Sequence, residues 1–294
     1  MINRRQFITT SSTAALAAMF CHRSLGESPQ GNQGFATLPI GGMDAKAVGD
    51  FKAAGYGYLE LSVSSWLDPR TDDTVFAQKL EELKNLALPV QAMNGFLPKE
   101  GFRVCGTDVN PDAIVEWSKR AFTRAKQVGV DVITFGSGGA RKIPENFARD
   151  RAQAQFSALL GSLGPIARDA GVRLAIENLN RGETNMGNTL DECFDLVVQS
   201  GSPDVFLTHD IFHSLRENEG PEVIHKAAAR IVHCHVAENE KRTQPGVSGQ
   251  DFRPYLKALQ AIGYTGRFSF ECSWVGGVSQ GAAPAIQVFR KQMA

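Results

Sequence analysis

Four short stretches in the second half of the chain decide how it folds: Leu-Ala-Ile-Glu at 174–177, Phe-Leu-Thr-His-Asp at 206–210, Val-His-Cys-His at 232–235 and Phe-Ser-Phe-Glu at 268–271. Each is a short, largely apolar run of strand length that ends on a side chain able to hold a metal: Glu177, Asp210, His235 and Glu271. The intervals between these residues, 33, 25 and 36 positions, approximate one strand-plus-helix unit of a parallel barrel. Such a spacing brings all four side chains to the same rim, the C-terminal ends of the strands, where barrel enzymes keep their sites.

Outward from these runs the same alternation continues. Strands are predicted at Phe35–Leu38, Tyr58–Ser62, Val90–Met93, Val132–Phe135, Arg173–Ile176, Val205–Thr208, Arg230–Cys234 and Arg267–Phe270, eight in all, with helical apolar spacing at Ala113–Val128, Ala152–Ala170 and Tyr255–Ile262 between them. Gly55, Gly129, Gly171, Gly201 and Gly263 each stand just before a predicted strand, where a helix ends most easily on a residue without a Cβ. One repeated unit over a length of 294 residues predicts an α/β protein with a single (β/α)8 TIM barrel over residues 35–294. A doubly wound sheet is the competitor, but no GxGxxG fingerprint follows the first strand.

Three carboxylates and one imidazole form a hard, oxygen-rich set suited to Mn2+, with Mg2+ or Co2+ as further candidates, more than to a thiolate-type zinc site. The five histidines beyond His22 all lie between His209 and His235. His209 must face away from its neighbour Asp210 and is expected to be packed, whereas His233 and His235 share a face, with His235 nearer the strand end. Glu60 reads equally as a buried structural acid or a substrate contact, His225 as surface and Trp117 as helix core. Trp274, three residues past Glu271, is placed to line a sugar. Cys105, Cys193, Cys234 and Cys272 lack CxxC spacing and are read as free thiols.

The composition, 43% hydrophobic and 21% charged with zero formal charge, offers no basic stripe for a phosphate backbone, so nucleic acid is not expected as a partner. Arg4 and Arg5 precede an apolar, small-residue run from Ile8 to Phe20, the pattern of a twin-arginine (Tat) signal, with an ordinary Sec signal or a short uncleaved membrane anchor as the alternatives. The expectation is a Tat-type signal peptide at 1–26, cleaved near Gly26, a linker at 27–34, and an exported, periplasmic enzyme. The apolar run is too short to span a bilayer comfortably, so no stable membrane span is expected in the mature chain. Assembly into homo-oligomers is left open.

The segments IENLNRGETN (176–185), DIFH (210–213), HCHVAEN (233–239) and IGYTGRFSFE (262–271) resemble the tagatose/psicose 3-epimerase branch of the xylose-isomerase-like barrels. The resemblance implies that Glu177, Asp210, His235 and Glu271 bind one divalent metal and that Glu177 and Glu271 also serve as the acid/base pair. It further implies that Glu183 and His213 bind substrate. The family places an arginine six residues after the ligand histidine; here that position is Lys241, with Arg242 next and a loop one residue longer, so both are candidate substrate contacts. FGSGGARKIP (135–144) resembles another subgroup of the superfamily, with Arg141 facing either the substrate or the barrel rim. The implied reaction is proton abstraction beside the carbonyl of a ketose or keto-sugar, giving an enediolate and a 3-epimer or an aldose–ketose isomer. Lyase or hydratase action on 3-keto-glycosides is the alternative, and a non-catalytic sugar-binding role the third reading.

Overall fold

The computed structural model describes residues 34–98 and 100–294. The expectations for the signal peptide, its cleavage near Gly26 and most of the linker therefore lie outside the described residues.

Eight parallel strands close into a barrel in chain order: β1 (Ile40–Gly42), β2 (Tyr58–Ser62), β3 (Val90–Asn94), β4 (Val132–Phe135), β5 (Arg173–Glu177), β6 (Val205–Asp210), β7 (Ile231–Val236) and β8 (Arg267–Phe270). Around them run α1 (Val48–Ala53), α2 (Val63–Trp66), α3 (Asp73–Lys84), α4 (Pro111–Val128), α5 (Gly138–Arg141), α6 (Arg149–Asp169), α7 (Leu190–Gln199), α8 (Ile211–Arg216), α9 (Val223–Ala227), α10 (Arg253–Ala261) and α11 (Val278–Met293). This is a single (β/α)8 TIM barrel. The five predicted stop glycines all have positive φ, from 67° to 95°. Gly129 shows why: at φ 95° its N–H bonds the carbonyls of Ala125 and Lys126, closing α4 in a conformation that a Cβ disfavours.

One strand is corrected. The apolar run from Phe35 to Leu38 was expected to be the first strand, but Phe35–Thr37 is a 3-10 turn whose Phe35 ring meets Phe268 edge-on, 6.1 Å between centroids. The strand is Ile40–Gly42 instead. A Cβ on Gly41 would lie 2.4 Å from the Tyr58 ring and one on Gly42 2.6 Å from the Phe51 ring, so neither position tolerates the side chains that advertise a strand. The other seven strands match the expected runs within two residues at each end.

The inside of the barrel is unusually polar. Tyr58 donates to the Phe268 carbonyl (2.7 Å), Thr134 and Thr208 share a hydrogen bond across the interior (2.9 Å), and Glu60, His233 and Ser269 are all fully buried. The apolar core lies instead between strands and helices, where Phe96, Phe122, Phe135 and Phe156 stack edge and face.

Candidate active site

The ends of β5, β6, β7 and β8 deliver Glu177, Asp210, His235 and Glu271 to one point, and one ligand atom from each lies within 4.8 Å of every other. His235 Nδ1 is 2.6 Å from Glu177 Oε1 and 3.0 Å from Glu271 Oε2. Glu177, Asp210 and His235 are buried, while the Glu271 side chain keeps 30% exposure and opens the cluster to solvent. Gly136, after β4, faces Glu177: a Cβ there would stand 2.2 Å from Oε2, so the turn must be glycine for the carboxylate to fit. Asp210 is fixed by Asn178, which accepts from its N–H (2.9 Å) and donates to its carbonyl (3.0 Å), and its own carboxylate caps α8.

His235 is oriented from behind. Its Nε2 bonds Glu60 Oε1 (2.9 Å), and the second oxygen of Glu60 bonds His233 Nε2 (2.7 Å). Glu60 is therefore a fully buried acid beneath the site; although burial raises a carboxyl's pKa, the two histidines hold it well below the usual range. His235 shows the mirror effect: burial opposes its charge, but Glu60, Glu177 and Glu271 raise it well above the ordinary imidazole value. Burial together with Glu271 and Asp210 pushes Glu177 up against the pull of His235. For Glu271, burial is outweighed by His235 and Arg242, and its pKa falls to about 2.

The donor set fits a divalent ion. Three carboxylates converge on one imidazole nitrogen inside a low-dielectric wall, and Glu271 Oε2, although 3.0 Å from both His235 Nδ1 and the Arg242 guanidinium, makes no well-aligned hydrogen bond. A cation among them satisfies that oxygen and the mutual repulsion together, and hard oxygens with one nitrogen suit Mn2+ or Mg2+.

His213 sits on α8 and is fully buried. The Asn180 main-chain N–H (3.2 Å) and Nδ2 (2.8 Å) both donate to its Nδ1, while Asn180 Oδ1 accepts from Gly182. The proton of His213 must then be on Nε2, which has no hydrogen-bond partner and points between Asp210 Oδ2 (3.4 Å) and Glu183 Oε1 (3.8 Å). It is a donor aimed into the site.

Arg242 completes the rim. Its guanidinium lies 2.9 Å from Glu183 Oε1 and 3.0 Å from Glu271 Oε2, over the Phe212 ring at 4.8 Å. Lys241 turns outward, 83% exposed, with Glu240 at 3.9 Å. Of the two candidates in this loop, the structure brings Arg242 to the cluster and not Lys241. Arg141 is likewise no substrate contact: fully buried, it donates to the carbonyls of Phe135, Glu177, Met186 and Gly187 and ties the turns after β4 and β5 together. Trp274 packs in the helix layer, 5.7 Å from Phe51 and against Gly281 of α11, instead of lining the carboxylates.

His209 is buried, bonded to Ser214 Oγ (3.1 Å), and burial drives its pKa down to about 3, so it is a neutral packing residue. His225 is exposed and Trp117 is core, its Nε1 donating to the Phe96 carbonyl. The four described cysteines are free. Asn178 and Asn180 went unassigned in the sequence, although both stand in the quoted run after Glu177; an amide one or three residues past a strand-end glutamate carries no spacing signal of its own.

A family model described as a xylose isomerase-like TIM barrel matches residues 48–292, and the chain belongs to that family. A D-psicose 3-epimerase from Enterocloster bolteae is 30% identical over 226 residues, 73% of this chain and 71% of that protein. A 3-dehydro-D-guloside 4-epimerase from Escherichia coli is 29% identical over 129 residues, 44% of this chain and 48% of that one. Among solved structures an L-ribulose 3-epimerase superposes with a TM-score of 0.72 at 22% identity, covering 87% of this chain and 94% of that one, a likeness of fold.

Proposed function

We propose that the chain is a divalent-metal-dependent sugar epimerase that moves the proton on a carbon next to a ketone, with a ketose 3-epimerase as the favoured form. The observation that carries this reading is the convergence of Glu177, Asp210, His235 and Glu271 beside two donors, His213 Nε2 and Arg242, that can hold sugar oxygens. A metal held by those four residues, Mn2+ by preference, would supply Lewis acidity to the carbonyl and its neighbouring hydroxyl. Glu177 and Glu271 stand on strands three apart around the ring, so that one glutamate removes the proton and the other returns it to the opposite face of the planar enediolate. His213 and Glu183 fix a hydroxyl as donor and acceptor, and Arg242, braced on Glu183 and Glu271, orients the chain of the sugar. With Lys241 turned away and Arg242 matched by carboxylates, the rim suits a neutral polyol better than a phosphate ester.

The similarity to the E. coli enzyme supports a second reading, a keto-glycoside as the substrate. The twin arginines Arg4 and Arg5 before the apolar run support Tat-dependent export of the folded, metal-loaded enzyme. Mn2+-loaded protein incubated with free ketoses and with 3-keto-glycosides in D2O, followed by NMR, tests the proposal. Deuterium at the carbon beside the ketone with inverted product, lost on chelation and at least 1,000-fold slower in Glu271→Gln, is the expected outcome. Exchange confined to the keto-glycosides establishes the second reading, and expulsion of an aglycone identifies a lyase. Absence of exchange with every sugar, with metal bound, overturns the enzyme reading.

A further inference from the structure

We propose that Glu238 is a positioning residue for Arg242, its buried carboxylate acting as the hub around which the β7–α10 loop is wound. This rests on Arg242 as the substrate contact proposed above. Glu238 lies three residues past His235, is fully buried, and directs its side-chain hydrogen bonds to residues 243–250 of the loop. Its two oxygens collect the main-chain N–H groups of Gly246 (2.8 Å), Ser248, Gly249 (3.2 Å) and Gln250 (3.3 Å), and the Thr243 hydroxyl (3.0 Å). Its own N–H donates to the Thr243 carbonyl at 2.9 Å.

Residues 239–250 contain no helix or strand element, so side-chain anchors must fix their course. Lys241 and Arg242 both adopt left-handed backbone, φ 56° and 52°, which non-glycine residues take up only when the surroundings impose it. On one side the imposition comes from the segment after β8, where Ser273 N donates to the Arg242 carbonyl (2.7 Å) and Gln244 pairs with the main chain of Val275. On the other it comes from Glu238, through Thr243 next to Arg242 and the four N–H groups beyond. Two consecutive left-handed residues throw Lys241 out to solvent and swing Arg242 in. An amide at 238 replaces one acceptor oxygen with a donor that faces other donors, and the hub comes apart.

The test uses full-length protein with selectively 15N-labelled arginine in Mg2+, reading the Nε–Hε resonance of Arg242, assigned by its loss in Arg242→Lys. In Glu238→Gln this resonance is expected to collapse to the position of free arginine while those of the buried Arg141 and Arg124 stay in place. With D-psicose as the probe substrate, KM is expected to rise at least 10-fold with a smaller change in kcat, and the loss is expected to shrink to less than 2-fold in an Arg242→Ala background. An unmoved Arg242 resonance, or an equal loss with and without Arg242, overturns the proposal. If Arg242→Lys leaves KM for D-psicose unchanged, it is the substrate-contact reading that fails, and the resonance still decides the role of Glu238. Should Glu238→Gln fail to fold, Thr243→Val removes one spoke of the hub, and the same resonance shift, smaller, is required.

Discussion

The carboxylate under His235 is the single residue on which the geometry of the cluster turns. Glu60 bonds Nε2, which leaves Nδ1 to face Glu177 and Glu271. Partners of this kind set the ligand's orientation and basicity, and their loss costs roughly 10- to 100-fold in metal affinity. Glu60→Gln is expected to weaken Mn2+ binding by about that factor, measured by titration of free Mn2+ by electron spin resonance, with the thermal midpoint of the apoprotein changed far less; unchanged affinity would contradict the role. In the sequence Glu60 stood balanced between structural acid and substrate contact, because its partners His233 and His235 are more than 170 positions away. Glu177, Asp210, His235 and Glu271 were legible because each ends an apolar run at repeat spacing. Arg242 was legible as one of a pair, but backbone φ decided between it and Lys241.

At the scale of elements the loops after β4, β5 and β7 are organised by polar side chains, with Arg141 and Glu238 fully buried. Arg141 gathers carbonyls, Asn180 orients His213, and Glu238 gathers N–H groups. Burial raises the Glu238 carboxyl, but its bonds from Ser248, Gly246 and Thr243 outweigh this and hold it below the usual carboxylate range. A carboxyl with a lowered folded-state pKa stabilises fully above its unfolded value, about 4.3, and that stability is lost as the pH falls through the lower folded value. Hydrogen-exchange protection of the Gly246, Ser248, Gly249 and Gln250 amides, corrected for intrinsic rate, is therefore expected to be level from pH 8 to pH 5 and to drop only below about pH 4. Loss of protection already near pH 6 would rule out a carboxylate hub. The same scale holds the one misread strand: the short Ile40–Gly42 segment lacks an alternating pattern because Gly41 and Gly42 make room for rings that come from β2 and α1.

For the whole molecule, the barrel interior trades the branched apolar layers usual in this fold for a connected polar stack running from Tyr58 and Ser269 through His233 and Glu60 to His235. Hydrogen bonds linked in this way through a low-dielectric interior tolerate little displacement. Gly41→Ala pushes a methyl into the Tyr58 ring, whose hydroxyl is held by Phe268 and Ser269. Overpacking of this kind costs about 1–3 kcal/mol, a fall in Tm of about 2–6 °C for a domain of this size. Gly49→Ala, at a helix position with nothing within 4 Å, is the control and is expected to leave Tm level or slightly higher. Equal midpoints for the two variants would show that the stack yields.

The sequence by itself determined the barrel, seven of its strands and the four residues of the cluster, because hydrophobic periodicity, helix-stopping glycines and strand-end ligands are local signals repeated at one spacing. Only the tertiary structure decided that Glu60 and His233 brace His235, that Asn180 fixes the proton of His213, and that Arg141 and Trp274 belong to the scaffold. It also decided that Arg242, not Lys241, turns inward. Those facts depend on hydrogen bonds between strands and loops far apart in the chain and on backbone angles in a loop without period, and neither leaves a trace in the order of residues.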